Sequence, residues 1–335
     1  MRVQKCKCHI MVIKIVLVGI LFFVSTQTNA QSYNMQGFEL ILKPLMEEMF
    51  SAKTDNERFA ANEKFISNLE DALNFEKSFS YNFPTLRNIN ILTSPDKQFK
   101  IFTWAIMSEG GEFENFGFIQ SKNKNGDYIV YRLFDKSEDV FQPEFAKLND
   151  SLWYGAVYYD LIQTKYENNT YYLLLGWDGN NIYSHKKIIE PITFNKNTGR
   201  PAFGQSVFYR EKERKRFIFE YSTEAYFTLK YEQQHYQTTA QKKKKSTLFH
   251  KARPFEVEAP QTEKRQMIFF DELEPINPAM QGFKQNYAPS GNITGLYFEK
   301  GKWKKLKQNV LPRNQKSKKD DYLPKENKSG LFPKK

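Results

Sequence analysis

Four carboxylates fall near the ends of segments with strand-like patterning: Asp178, in Gly-Trp-Asp-Gly-Asn-Asn, then Glu190, Asp271 and Glu274. A glycoside hydrolase needs two such groups flanking the scissile bond, roughly 5 Å apart for retention and up to about 9.5 Å for inversion. Trp104, Trp153 and Trp177 add flat apolar faces of the kind that stack on sugar rings. Together they are the candidate catalytic and ligand-binding set for a glycan-directed chemistry. The competing reading puts the acids in turns and the tryptophans in the core, and we favour it, because any β-rich chain of this size offers comparable sets.

Asp178 can be tested against a calcium loop. An EF-hand type of loop places oxygen ligands at its first, third and fifth positions, Gly at the sixth and a bidentate Glu at the twelfth. Counting from Asp178, the fifth position is Ile182, the sixth is Tyr183 and the twelfth is Ile189, with Glu190 one residue late. A turn explains Asp-Gly-Asn-Asn better, since these residues tolerate left-handed backbone at little cost.

Other chemistries lack their residues. Cys6 and Cys8 are the two cysteines, and both precede the apolar run Ile15–Val24. A chain processed after that run carries no thiol, which removes disulfides, thiolate nucleophiles and cysteine-ligated metals. Of the four histidines, three lie beyond the run: His185, His235 and His250. There is no HExxH pair, no GxSxG elbow, and neither GxGxxG nor GxxxxGK[ST] to cradle a phosphate. No metal and no cofactor is expected.

Charge is distributed unevenly. The formal net charge is +12, yet residues 31–300 sum to about −1. The excess sits in Arg2, Lys5, Lys7 and Lys14 at the start and in residues 301–335, which hold twelve Lys/Arg against three acids. A neutral body gives no general case for nucleic acid, and no nucleic-acid partner is expected. The stretch Lys302, Trp303, Lys304, Lys305, Leu306, Lys307 interleaves cations with apolar residues and is the candidate polyanion-binding segment, with an envelope glycan or an anionic lipid as partner. A solvated tail is the competing reading.

These residues must be positioned by the elements around them. Residues 1–30 read as a secretory signal: basic residues, ten apolar residues, then polar Ser-Thr-Gln-Thr-Asn-Ala, with cleavage expected between Ala30 and Gln31. Ten apolar residues fall short of the roughly 20 that span a bilayer, so no transmembrane segment is expected in the mature chain. In residues 31–80, Phe38, Ile41, Leu42, Leu45, Met46 and Met49 share one helical face, with a kink or a helix start expected at Pro44. Thr54-Asp55-Asn56-Glu57 is a capping box opening a second helix carrying Phe59, Ile66, Leu69 and Leu73.

From residue 81 to 303 the period becomes that of strands. They are expected near 88–93, 98–106, 113–121, 128–134, 152–164, 170–177, 202–209, 216–222, 225–232, 266–271 and 294–299. Short turns such as Ser94-Pro95-Asp96-Lys97 favour antiparallel pairing. Both faces of 171–177 are apolar, which marks a central strand. Residues 233–264 read as a polar surface excursion, and 304–335 as a disordered basic tail.

Several stretches together resemble a group of uncharacterised exported proteins from Bacteroidetes: Ser94-Pro95-Asp96-Lys97, Phe116-Gly117-Phe118, Trp153-Tyr154-Gly155, Gly176-Trp177-Asp178-Gly179, Phe219-Glu220-Tyr221-Ser222 and Gly301-Lys302-Trp303. The resemblance covers about residues 35–305 and implies a periplasmic, cell-surface or secreted location, with no activity or site residue to transfer. Asp150-Ser151-Leu152 also resembles the short O-glycosylation motif of that phylum, which makes Ser151 a candidate acceptor. The expected architecture is α+β, mostly β: a helical pair packed on a large antiparallel domain, sandwich or open meander. The expected function is non-enzymatic binding or structural support, with a carboxylate-dependent glycan hydrolase or a tail-mediated surface anchor as alternatives.

Overall fold

The computed structural model describes residues 34–237 and 262–307. The expected signal with its Ala30–Gln31 junction, most of the 233–264 excursion and residues 308–335 lie outside the described residues. Two helices open the fold, α1 (Met35–Ser51) and α2 (Asp55–Asn74). Asn34 caps α1 by accepting from the Gly37 amide, and Thr54 with Glu57 closes a reciprocal capping box on α2. Pro44 lies inside α1 and does not start it, a departure from expectation. It occupies the solvent face, as does Leu40 one turn earlier, whose carbonyl loses its helical donor and can turn to water.

Three antiparallel sheets follow. The first is a meander in the order β1 (Asn90–Thr93), β2 (Phe99–Met107), β3 (Phe113–Lys122), β4 (Tyr128–Phe134). The middle sheet comprises β5 (Leu148–Asn149), β6 (Val157–Tyr166), β7 (Asn169–Asp178), β8 (Ser184–Phe194), β9 (Pro201–Phe203) and β10 (Phe217–Ser222). Its order is β5-β9-β8-β7-β6, with β10 also on β8. The third sheet runs β11 (Leu229–Gln237), β12 (Thr262–Pro275), β13 (Tyr287–Glu299), β14 (Lys302–Lys305) in sequence order.

Side-chain alternation stacks these layers. On β2, Phe102 and Trp104 join Leu42, Phe65 and Leu69 of the helices, while Phe99 and Ile101 point the other way to Leu174 and Ile188 of the middle sheet and to Trp153 just before β6. On β7, Leu174 faces the first sheet while Leu173 and Leu175 face Ile268, Phe270 and Trp303 of the third. The middle sheet is therefore buried on both faces, as the two-sided apolar character of 171–177 predicts. A one-residue slip of β7 would exchange the two cores, so its register is held from both sides. The polar Lys100 is sealed between the helical segment and the first sheet, its Nζ donating to the carbonyls of Phe79 (2.5 Å) and Tyr81 (2.8 Å).

Several boundaries differ from the sequence expectation: the strand expected over 202–209 stops at Phe203, the one over 225–232 starts at Leu229, and the one over 294–299 already starts at Tyr287. β8 was not anticipated at all, although it is the strand to which β7, β9 and β10 all bond. The strand expected from residue 152 begins at Val157, because Asn149 to Leu152 turn back on themselves first. Gln233–Gln237 and Thr262–Lys264, read as part of the polar excursion, are paired strand instead. Lys304 and Lys305, read as the start of the tail, pair with Tyr297 and Leu296, and the core includes Trp303 and Leu306.

Candidate ligand-binding cleft

Glu190 lies in the densest part of the core. Phe217 of β10 pairs with Ile189, and Phe203 of β9 with Ile192, so Glu190 and Pro191 occupy the gap between two strands that share one edge of β8. A proline with no N–H to give is tolerated at such a gap. Arg216 enters through it, and its Nε donates to Glu190 Oε1 at 2.6 Å, both side chains being fully buried. Arg216 Nη1 also donates to the carbonyls of Pro143 and of Ala146 (3.0 Å). On the other side Tyr158 donates to Glu190 Oε2 and accepts from Trp153 Nε1 at 2.9 Å. Burial first, then the charge and hydrogen bond of Glu190, hold the Tyr158 hydroxyl well above its ordinary range. Gly204, at φ +81°, lets the chain pass this point: a Cβ would stand 2.9 Å from the Ala146 carbonyl oxygen.

Asp178 closes the turn between β7 and β8. Its Oδ1 accepts from the Asn180 amide at 2.9 Å, with Asn180 itself in left-handed backbone (φ 52°), and Asn115 Nδ2 approaches at 3.4 Å. Lys186 Nζ lies 3.6 Å from Oδ2. Burial pushes the Asp178 carboxyl up, while Lys186 and the Asn180 amide pull it down. The carboxylate is thus engaged by its own turn and by a neighbouring cation.

The candidate aromatic faces divide. Trp104 and Trp153 are buried, the first edge-on to Phe65 with its Nε1 donating to Asn62, so neither presents a face to a sugar. Trp177 is half-buried, with its ring edge-on to Phe113 and tilted against His185. The expectation of a tryptophan-lined binding surface therefore fails for two of its three members, because the core claims the largest apolar side chains first.

Asp271 and Glu274 have a different setting. A cleft of about 800 Å³ opens between the middle and third sheets, and both residues line it. The register of β12 against β13 shifts between Asp271 and Leu273, and all of Phe270–Glu274, on either side of this bulge, contribute to the cleft lining, although the Phe270 ring itself packs in the core. Asp271 Oδ2 accepts from the Thr228 amide at 2.6 Å; Glu274 is exposed. Facing them are Glu220 and Lys186 of the middle sheet, with Tyr154 behind and Tyr287 on the near wall. Glu220 accepts from Ser184 Oγ at 2.7 Å. Burial, and then the charges of Asp178 and Glu220, raise the Tyr154 hydroxyl far above its ordinary range. Asp178 stands one step behind the cleft, through Lys186, and Glu190 contributes nothing to its lining.

Carboxylates set among aromatic rings can accept hydrogen bonds from hydroxyl or ammonium groups while the rings cover apolar edges. Sequence reasoning missed Glu220, Lys186 and Tyr154. The available signal for Glu220 was an acid inside the apolar run Phe217–Tyr221; Lys186 was hidden with the unrecognised β8. Among the described residues no group of three or more His, Cys, Asp or Glu is arranged to hold a metal.

The remaining candidates are on the surface. Ser151 is exposed at a turn tip, with Arg200 Nη2 donating to its hydroxyl at 3.1 Å, and Leu152 beside it is exposed too, not the start of a buried strand. In the polyanion segment Trp303 is core, Lys304 pairs with Glu299 and Lys305 with Glu272 at 3.5 Å, while Lys302 and Lys307 are exposed. Among the described residues no helix is long and apolar enough to cross a membrane. No protein-family model, curated protein or solved structure matches the chain.

Proposed function

We propose that this chain is an exported cell-envelope protein whose folded body is a non-enzymatic binding module, with the inter-sheet cleft as its binding site and an envelope glycan as the ligand. The observation that carries this reading is the division among the four candidate acids. Asp178 and Glu190 are held in structural pairs, which leaves a cleft lined by Glu220, Asp271 and Glu274, carboxylates suited to accepting hydrogen bonds from hydroxyls. The signal-like first thirty residues and the thiol-free remainder support export.

The test is co-sedimentation of residues 31–335 with purified Gram-negative cell envelopes at low and high salt, beside the exposed-site variant Glu274→Lys. Retention at high salt that is lost in E274K supports the cleft. Sedimentation that disappears with salt and is indifferent to E274K removes it.

Two further readings each have one supporting observation. Asp271 and Glu274 line the same cleft, which suits a carboxylate-dependent glycan hydrolase. Release of new reducing ends from the same envelopes, abolished by E274Q, would favour that reading over binding alone. Exposed Lys302, Lys305 and Lys307 suit a surface anchor for anionic lipid or another polyanion.

A further inference from the structure

The sequence places its net positive charge at its two ends, and the fold joins the C-terminal segment to a second basic run, Arg210 to Arg216. Phe208 and Trp303 form a parallel bridge; the Tyr209 amide donates to the Trp303 carbonyl and the Trp303 amide to the Val207 carbonyl, both at 2.8 Å. Lys302 Nζ reaches the Ser206 carbonyl at 2.5 Å. Residues 206–216 and 302–307, distant in sequence, thus lie side by side and carry nine Lys/Arg against two Glu. Arg216 is consumed by the core and Arg214 by Glu144 and Glu211. Arg210, Lys212, Lys302 and Lys307 are exposed and form no ion pair with a described residue. Between them stands Tyr209, 47% exposed, with the Arg210 guanidinium 5.3 Å and Lys304 Nζ 5.0 Å from its ring centre.

We infer that this composite face is a docking surface for an anionic lipid bilayer. It deepens the anchor reading given above, and rests on it, by placing half of the anchor in the folded body. Two features select lipid over a soluble polyanion. Four exposed cations without an ion pair among the described residues, on two adjoining segments, match an array of headgroup phosphates, each contributing where it comes within a Debye length of the surface. An exposed tyrosine ringed by cations fits the headgroup level, where an aromatic ring can bury its body and keep its hydroxyl wet. The face also adjoins the cleft, since Lys305 lines the cleft and Glu144, on its opposite wall, holds Arg214. A docked protein would hold the cleft mouth beside the membrane surface.

The experiment is flotation with vesicles of phosphatidylcholine, with and without phosphatidylglycerol, using residues 31–335, a form ending at Lys307, the loop variant R210Q/K212Q and the control K53Q/K64Q on the helical layer. Full-length protein and the form ending at Lys307 should bind only the anionic vesicles, with affinity falling steeply in salt. R210Q/K212Q should bind roughly thirty-fold more weakly, and the control should be unchanged. If R210Q/K212Q binds like the parent while truncation at Lys307 abolishes binding, the anchor lies wholly in the distal tail and this inference falls although the anchor reading stands. If dextran sulfate is bound while anionic vesicles are not, the bilayer inference falls although the polyanion anchor stands; if neither is bound by any form, both are overturned.

Discussion

Replacing Glu190 by Gln would leave the Arg216 guanidinium fully buried, 2.6 Å from a group that no longer carries charge. Removing one partner of a buried ion pair costs about 3–5 kcal/mol, because the survivor keeps its desolvation penalty and loses its compensation. Water cannot relieve it here: both side chains are at zero exposure, and Arg216 is already turned toward the carbonyls of Pro143 and Ala146. At about 2–4 °C per kcal/mol for a domain in this size range, the melting temperature should fall on the order of 10 °C. R216M should cost a similar amount by stranding the carboxylate. The double variant E190L/R216M should recover much of the loss, though not all, since Tyr158 then loses its acceptor. The assay is urea unfolding followed by circular dichroism on E190Q and on the cycle of parent, E190L, R216M and E190L/R216M, with envelope binding measured on the same samples. Strictly additive single effects of less than about 1 kcal/mol each would refute the reasoning. They would mean that the pair is hydrated and that Glu190 is reachable, which would return it to the list of reactive acids.

Two other outcomes follow from the same structure. Lys100 is held down to about pKa 8 by burial, so between about pH 8 and its ordinary 10.5 the unfolded chain binds more protons than the folded one. Stability from this group therefore rises across that window and falls as pH drops through 8; K100M should flatten the difference in urea midpoint between pH 7.5 and 9.5, and an unchanged difference would exclude Lys100 as its source. Trp303, 1% exposed and packed against Phe298 and Tyr231, should behave as core. W303A should lose about 3–5 kcal/mol in stability, whereas a ligand contact would lose binding with the urea midpoint intact.

Much of the scaffold is legible in local pattern. The Thr54–Glu57 capping box starts α2 where the sequence places it, and β4 spans Tyr128–Phe134 as its alternation predicts. Apolar residues on both sides of 171–177 correctly mark an interior strand, β7. β8 was illegible because Glu190-Pro191 contradicts every local preference for a central strand. Glu190 is buried against Arg216, twenty-six residues on, arriving in a gap left by two other strands, and against the Tyr158 hydroxyl. The Lys302–Lys305 strand escaped for a related reason: four residues rich in lysine have no period to read, and Trp303 is apolar in context only once Phe208 lies beside it.

By itself, then, the amino-acid order determined the elements whose signals are local: helix caps, turns, strand period, the confinement of both cysteines to the first eight residues and the uneven charge. These depend on neighbours within a few residues, where propensity and periodicity act. Tertiary structure alone decided which acids are structural and which face the cleft, and which lysines are paired. It also decided that the loop after Ser206 lies beside the last strand. Those outcomes depend on burial and on partners brought from far along the chain, and the energy of a charge depends on what surrounds it rather than on what precedes it.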